Sequence, residues 1–243
     1  MYLSYAKIEE IAQTVLDEFN GFFFGDSKEG KIPHATPIDQ FAQEFLGLSV
    51  RIERLCSDGS ICGVTAYSET ELTTTIFGCP ISMPVKQNEI LLDIEFMQPG
   101  NVQRLCGKRR FTLAHECAHQ ILFQMESDEG KAACRRQYSD KRSYTAKELK
   151  SKEDWNEWQA NALGAALLLP RRDVSMAAKA LLKGRTIISA FGRYTRQDRE
   201  VIYDIANYFH ASPSAVEIRL ERLGFIYDES RETIENQRLE VCS

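Results

Sequence analysis

The sequence feature that most constrains the fold is a pair of histidines, His115 and His119, which enclose a glutamate within a largely apolar stretch. Positions i and i+4 of an α-helix lie about 40° apart around the helix axis. A helix over residues 111–125 therefore presents both imidazoles on one face, and each ring can give a nitrogen to the same Zn²⁺. Glu116 lies one position on and is not a ligand in this geometry. It can instead take a proton from a water that the metal acidifies, so the motif predicts Glu116 as a catalytic base.

A chance occurrence of this spacing is the alternative, since most histidines on apolar helices are structural. The chain has only four histidines, and two of them are spaced as a metal site requires. The other two, His34 and His210, are predicted in a loop and at a distant helix end, with no metal-binding residue nearby. A catalytic zinc needs three protein ligands and one open position, so the third ligand must come from another residue type.

Glu157 is the candidate for that ligand, on a second predicted helix over residues 154–169 that ends before Pro170. This helix is apolar nearly all round after Asn161, as buried helices are. A buried carboxylate needs a partner, and a metal would be one. Alternatively, Glu157 belongs to a solvated acidic first turn that the helix dipole favours. The residues alone leave both interpretations open.

Composition indicates a water-soluble globular protein, with 43% apolar and 27% charged residues and a net charge of −5. The longest apolar run, residues 162–169, is far shorter than the roughly 20 residues of a membrane span. Residues 1–20 have the pattern of an amphipathic helix rather than of a signal peptide. The seven cysteines are odd in number and form no C-x-x-C pair, which argues against a disulfide scaffold. We therefore expect a cytoplasmic protein with reduced thiols and no membrane contact.

The hydrophobic pattern changes along the chain in a way that predicts an α+β fold. Alternation over residues 48–53 and apolar runs over 61–67, 72–77 and 90–96 indicate a small, mostly antiparallel sheet. Helices are expected before it, over 1–20 and 38–46 with a loop over 21–36 between them, and from residue 110 onward. Residues 126–151 are polar and are predicted to form a long surface segment.

The C-terminal part is predicted to hold a third helix that Asp173 caps and Gly184 ends, and then two helices over residues 199–210 and 213–223. The last two, joined by a short turn at Pro213, have the pattern of a helix-turn-helix. Residues 196–224 contain four arginines against five acidic residues. Phosphate binding needs a positive excess, so DNA binding is disfavoured and packing or partner docking is favoured.

We therefore expect a main domain over residues 1–185, a helical segment over 186–228 and a polar tail over 229–243. The tail is predicted to be disordered.

Three motifs in order resemble the ImmA/IrrE family of zinc metallopeptidases. They are R-F-T-L-A-H-E-C-A-H at residues 110–119, E-W-Q-A-N at 157–161 and L-L-L-P at 167–170. The family typically shows R-F-T-L-A-H-E-x-G-H, E-x-x-A-N and L-L-M-P. Ala118 and Leu169 replace the usual Gly and Met, which are small apolar changes. The resemblance covers most of residues 33–225, and 90–96 looks like the strand that precedes the motif helix.

The resemblance implies a zincin-like, gluzincin-type domain in which His115, His119 and Glu157 bind Zn²⁺ and Glu116 is the base. It further implies an endopeptidase that cleaves a helix-turn-helix transcriptional repressor and so induces genes of a mobile element, prophage or stress response. Residues 120–154 form a longer excursion than the family pattern and leave the oxyanion-stabilising group unassigned. Tyr138 and Tyr144 are candidates on chemistry alone.

Three questions stay open at this level. The strand that pairs with an extended substrate could be 90–96, unless that strand is central in the sheet. The chain could instead be a regulator that binds a partner through zinc or the helix-turn-helix without hydrolysis, or a hydrolase of a non-protein substrate. Sites with nitrogen and oxygen ligands also accept divalent ions other than zinc.

Overall fold

The computed structural model describes residues 2–25, 32–129, 131 and 152–229, with side chains of the last range from residue 155 on. Two compact units follow each other, Met1–Leu168 and Leu169–Ser243. Most of segment 126–151, the tail from residue 230, Tyr138 and Tyr144 lie outside the described residues. The predicted domain boundary at residue 185 stays a prediction.

Among its described residues, the first unit combines five α-helices with five strands. Its elements are α1 Tyr5–Phe24, α2 Ile38–Gln40 continued by a π-helical turn Phe41–Phe45, β1 Ser49–Glu53, β2 Gly63–Ala66, β3 Thr70–Ile76, β4 Cys79–Val85, β5 Glu89–Asp93, a 3₁₀ turn Ile94–Met97, α3 Asn101–Arg104, α4 Cys106–Gln124 and α5 Lys152–Leu168.

Helix α1 begins at Ser4, whose hydroxyl accepts a hydrogen bond from the Lys7 amide at 3.2 Å. It extends through Phe24, so the prediction of a loop from residue 21 is wrong for its first four residues. Aromatic contacts explain the extension, because Phe19 packs on Phe23 at 5.0 Å and on Phe41 at 5.3 Å. These contacts stabilise the last turn despite Gly21.

The sheet has the strand order β1-β5-β2. Strand β5 is central, parallel to β1 and antiparallel to β2, and all five of its residues are buried. The possibility that this strand is the free edge is therefore excluded. Strand β2 has a pairing partner on one side only within the described part of the chain, which makes it an edge.

Strands β3 and β4 form an antiparallel hairpin whose second strand the sequence did not predict. Pro80 and Pro84 lie in β4 and conceal its strand pattern. The connecting residues Phe77 and Gly78 have φ values of 50° and 80°, as in the two-residue turns that join hairpin strands. Phenylalanine is an unusual residue for that backbone conformation, so the turn was not predicted from the sequence.

Helices α4 and α5 pack closely enough for their backbones to touch. A Cβ added to Gly164 of α5 would lie 3.0 Å from the backbone nitrogen of His115 and 3.1 Å from its Cα. A second connection runs through Thr36. Its carbonyl accepts a hydrogen bond from Arg110 at 2.7 Å, and its hydroxyl donates to the Leu167 carbonyl at 2.7 Å. These contacts fix α5 against the residues that carry the motif.

The second unit is mainly helical and contains a short parallel strand pair that the sequence did not predict. Its elements are α6 Arg171–Leu182, β6 Ile187–Ser189, α7 Arg196–Phe209, α8 Pro213–Arg222 and β7 Ile226–Asp228. The cap of α6 is Pro170, which offers no side-chain hydrogen bond, and Asp173 lies inside the first turn. The prediction of Asp173 as the cap is therefore wrong. Ser212 caps α8 through a bond from the Ala215 amide.

The predicted α+β class is confirmed. Two of the three strand pairings in the first unit are antiparallel, as expected for a mostly antiparallel sheet. Within the described ranges, every helix is too short or too polar to cross a membrane.

The contact at Gly164 predicts a cost for any side chain at that position. Gly164→Ala places a methyl group against rigid helix backbone, and we expect the free energy of unfolding to fall by about 1–2 kcal/mol despite the better helix propensity of alanine. The matched control is Gly21→Ala in α1, where nothing lies within 4 Å of the added Cβ. That change should stabilise by about 0.5–1 kcal/mol. Urea unfolding of both variants tests this, and equal gains would show that α5 can move away at no cost.

Candidate metal centre and active site

His115 and His119 converge on α4 as the spacing predicts. Their rings meet edge to face with centroids 4.6 Å apart, and their Nε2 atoms are 3.0 Å apart. Both side chains are buried, at 3% and 5% exposure. The helix register alone brings two metal-binding nitrogens together inside the protein.

Glu157 enters this point from α5. Its Oε1 lies 3.0 Å from Nε2 of His119, and its Oε2 lies 3.4 Å from Nε2 of His115. The carboxylate is 6% exposed, so it is not part of a solvated first turn. One ligand atom from each of the three residues lies within 4.8 Å of the others.

The electrostatics of Glu157 favour its charged form. Burial by itself would raise the pKa of this carboxyl group, but hydrogen bonds and charge interactions with His115 and His119 outweigh burial and hold the pKa below its ordinary value. The group is therefore an anion near neutral pH. A buried anion between two imidazoles is suited to balance a bound cation.

The donor set fits a divalent metal ion. Two imidazole nitrogens and one carboxylate oxygen are the three protein ligands of many catalytic zinc sites, and they leave a fourth position open. The second ring nitrogen of His115, Nδ1, is buried and has no hydrogen-bond partner among the described residues. The polar contacts of His115 in that part of the chain are thus made through Nε2, on the side of the convergence point.

Glu116 lies on a different stripe of α4, together with Thr112 and Gln120. These residues are spaced by four, so they form one line along the helix, and this line faces strand β2. A Cβ added to Gly63 would lie 3.0 Å from Oε1 of Glu116 and 2.7 Å from Cγ2 of Thr112. The side chain of Glu116 is fully buried, and the base predicted from the sequence thus lies against the edge strand β2.

Gln120 joins the other end of this stripe to β2. Its Nε2 donates hydrogen bonds to Oγ1 of Thr65 at 2.7 Å and to the carbonyl of Ala66 at 3.0 Å. Strand β2 therefore runs along helix α4 past Glu116.

Sequence reasoning did not assign roles to Gly63, Gly164 or Gln120. A glycine inside a helical or strand pattern commonly marks close backbone approach, and this signal was present at both glycines. Gln120 is a polar residue in an apolar helix, which is a weaker signal.

Other candidate groups near the site have distinct positions. Cys117 is buried on α4, and burial raises the pKa of its thiol, which therefore stays protonated rather than forming a thiolate ligand. Tyr67, which the sequence did not single out, stacks on Phe123 at 4.3 Å and lines a small cavity beside His119. Because Tyr138 and Tyr144 lie outside the described residues, their proposed oxyanion role stays a prediction.

Comparison with known proteins gives a family match over part of the chain. The profile of the IrrE N-terminal-like domain, peptidase family M78, matches residues 107–221. This segment contains both histidines of the convergence point, Glu116 and Glu157. A search of curated protein sequences gives no match. Residues 107–221 are therefore similar to the IrrE N-terminal-like domain of the M78 peptidases, in agreement with the resemblance that the three motifs show.

Proposed function

We propose that this chain is a zinc-dependent endopeptidase whose metal is held by His115, His119 and Glu157. The observation that supports this most directly is the buried convergence of two imidazole nitrogens and one carboxylate, with Nε2–O distances of 3.0 and 3.4 Å. A zinc ion bound there would polarise a peptide carbonyl and lower the pKa of a water molecule.

Glu116 serves as the general base in this proposal. It takes a proton from the attacking water and then gives a proton to the amine that leaves when the peptide bond breaks. Its position supports this role, because Glu116 lies on the helix that carries both histidines, with Oε1 against Gly63 of the edge strand β2.

The substrate lies along β2 in an extended conformation. Main-chain groups at an exposed sheet edge can pair with an added strand, and β2 is the edge that runs beside Glu116. The central strand β5 cannot serve this purpose, because both of its sides are already paired.

We further propose that the substrate is a helix-turn-helix transcriptional repressor, cut at a limited site in the cytoplasm. The support is the resemblance of the three motifs to the ImmA/IrrE family. The second unit is expected to dock a protein rather than DNA. Arg219, one of the four arginines between residues 196 and 224, is buried with its Nε donating to the Leu169 carbonyl at 2.8 Å. It is therefore not available for phosphate contacts.

Metal content tests the ligand set. The wild-type chain should bind about one zinc ion, and His115→Ala and Glu157→Ala should each lose most of it, because a catalytic site has only three protein ligands. His34→Ala is the matched control, since His34 is exposed, and should keep the metal. Free zinc at about 100-fold its Kd should stabilise wild type by about 2.7 kcal/mol, and a chelator should reverse this. Elemental analysis measures the zinc content, and thermal unfolding measures the stabilisation. Zinc retention in Glu157→Ala would show that the third ligand is another residue.

Glu116→Gln tests the base separately from the metal. The amide cannot accept the proton, so turnover should fall by about 10²–10⁴-fold while zinc content is unchanged. The measurement is mass spectrometry of new N-termini in a lysate of the organism that encodes the chain. Glu95→Gln, at an exposed site on the turn after β5, is the control. Cells in which the Glu116→Gln chain keeps its full regulatory effect would favour a binding regulator over a peptidase.

A further inference from the structure

The polar link between Gln120 and strand β2 goes beyond the ligands and the base. We propose that Gln120 is a positioning residue, whose amide holds β2 in the register at which an extended peptide crosses Glu116. This inference rests on the proposed peptidase function.

The hydrogen bonds of Gln120 make its position specific. The side chain is 4% exposed, and its amide nitrogen has two acceptors, Oγ1 of Thr65 and the carbonyl of Ala66. Both hydrogens of the amide are thereby used. A shift of β2 along α4 would leave a buried donor without a partner, which is costly. The register of strand and helix is therefore restricted at this end.

Gly63 restricts the register at the other end of the strand. Its missing side chain lets the β2 backbone approach Thr112 and Glu116, where a Cβ would lie at 2.7 and 3.0 Å. Thr112 and Gln120 are about 12 Å apart along the helix axis, and the four residues of β2 span about 10 Å. The two anchors thus hold the strand along the helix segment whose middle residue is Glu116.

The role of Gln120 is positional rather than required for the sheet. The Ala66 carbonyl also accepts a hydrogen bond from the backbone N–H of Asn88 at 3.0 Å, and β2 stays paired with β5 through four residue pairs. Removal of the Gln120 amide therefore leaves the strand in the sheet and releases its connection to α4. The separation between the substrate-binding edge and the base then varies, and catalytic sites are sensitive to displacements of about 1 Å.

Two hydroxamate probes distinguish binding at the metal site from binding along strand β2. Acetohydroxamate binds a metal alone, whereas acetyl-leucyl-leucyl hydroxamate adds an extended backbone that can pair with β2. We would measure both dissociation constants by calorimetry on the zinc-loaded full chain. In Gln120→Met, which removes the donor and keeps the length of the side chain, binding of the peptidyl probe should weaken by about tenfold. Binding of acetohydroxamate and the zinc content should not change.

Gln124→Met is the matched control, since Gln124 is exposed one turn further along the same helix. Thr65→Val provides a second variant that removes one acceptor and keeps the branched shape, and it should weaken only the peptidyl probe. Unchanged binding of that probe in both Gln120→Met and Thr65→Val would overturn the inference, as would equal weakening of the two probes. If the wild-type chain binds both probes with the same affinity, substrate binding along β2 is overturned, and the inference with it, while the metal site stands. Failure of wild type to bind acetohydroxamate would overturn the proposed function as well.

Discussion

The close approach of two helix backbones at Gly164 and His115 is the contact on which the site depends. Glu157 lies two turns before Gly164 on α5, so the distance between the helices sets how far its carboxylate reaches. The observed separation places its oxygens 3.0 and 3.4 Å from the histidine nitrogens. Metal ligand distances are tolerated within about 0.2 Å, so even a small outward shift of α5 would matter. A glycine at this contact therefore serves the proposed metal site as well as the packing of the two helices.

Burial of three ionisable side chains at one point would be unfavourable if each stood alone. A lone buried carboxylate becomes protonated, because desolvation disfavours its charge. Here the two imidazoles reverse that tendency and keep the pKa of Glu157 low. The same arrangement places negative charge beside two imidazole nitrogens, which is a donor set that can bind a divalent cation. The groups that are costly to bury are thus the same groups that could bind a metal.

Local sequence patterns predicted the helix elements of the site because helix geometry is encoded at short range. The i, i+4 spacing of His115 and His119 required no knowledge of the fold, whereas the residues alone left open whether Glu157 is buried. The role of β2 as an edge was not predictable in this way. It depends on the pairing of β1 with β5 across 35 intervening residues, and a pattern of alternation does not encode which strands become neighbours. Strand β4 was not predicted for a local reason, since its two prolines are atypical of strands and phenylalanine is atypical at the positive φ of the hairpin turn.

The separation of ligands from base follows from the helix itself. Successive residues of an α-helix differ by about 100° in direction, so His115 and Glu116 face different neighbours although they are adjacent in sequence. The histidines meet Glu157 of α5, whereas Glu116 lies in line with Thr112 and Gln120 against β2. In the proposed peptidase, contacts with α5 would therefore determine the geometry of the metal ligands, and contacts with β2 would determine how a substrate meets the base. Since separate elements control the two requirements, a substitution in β2 can alter substrate alignment while the metal ligands keep their positions.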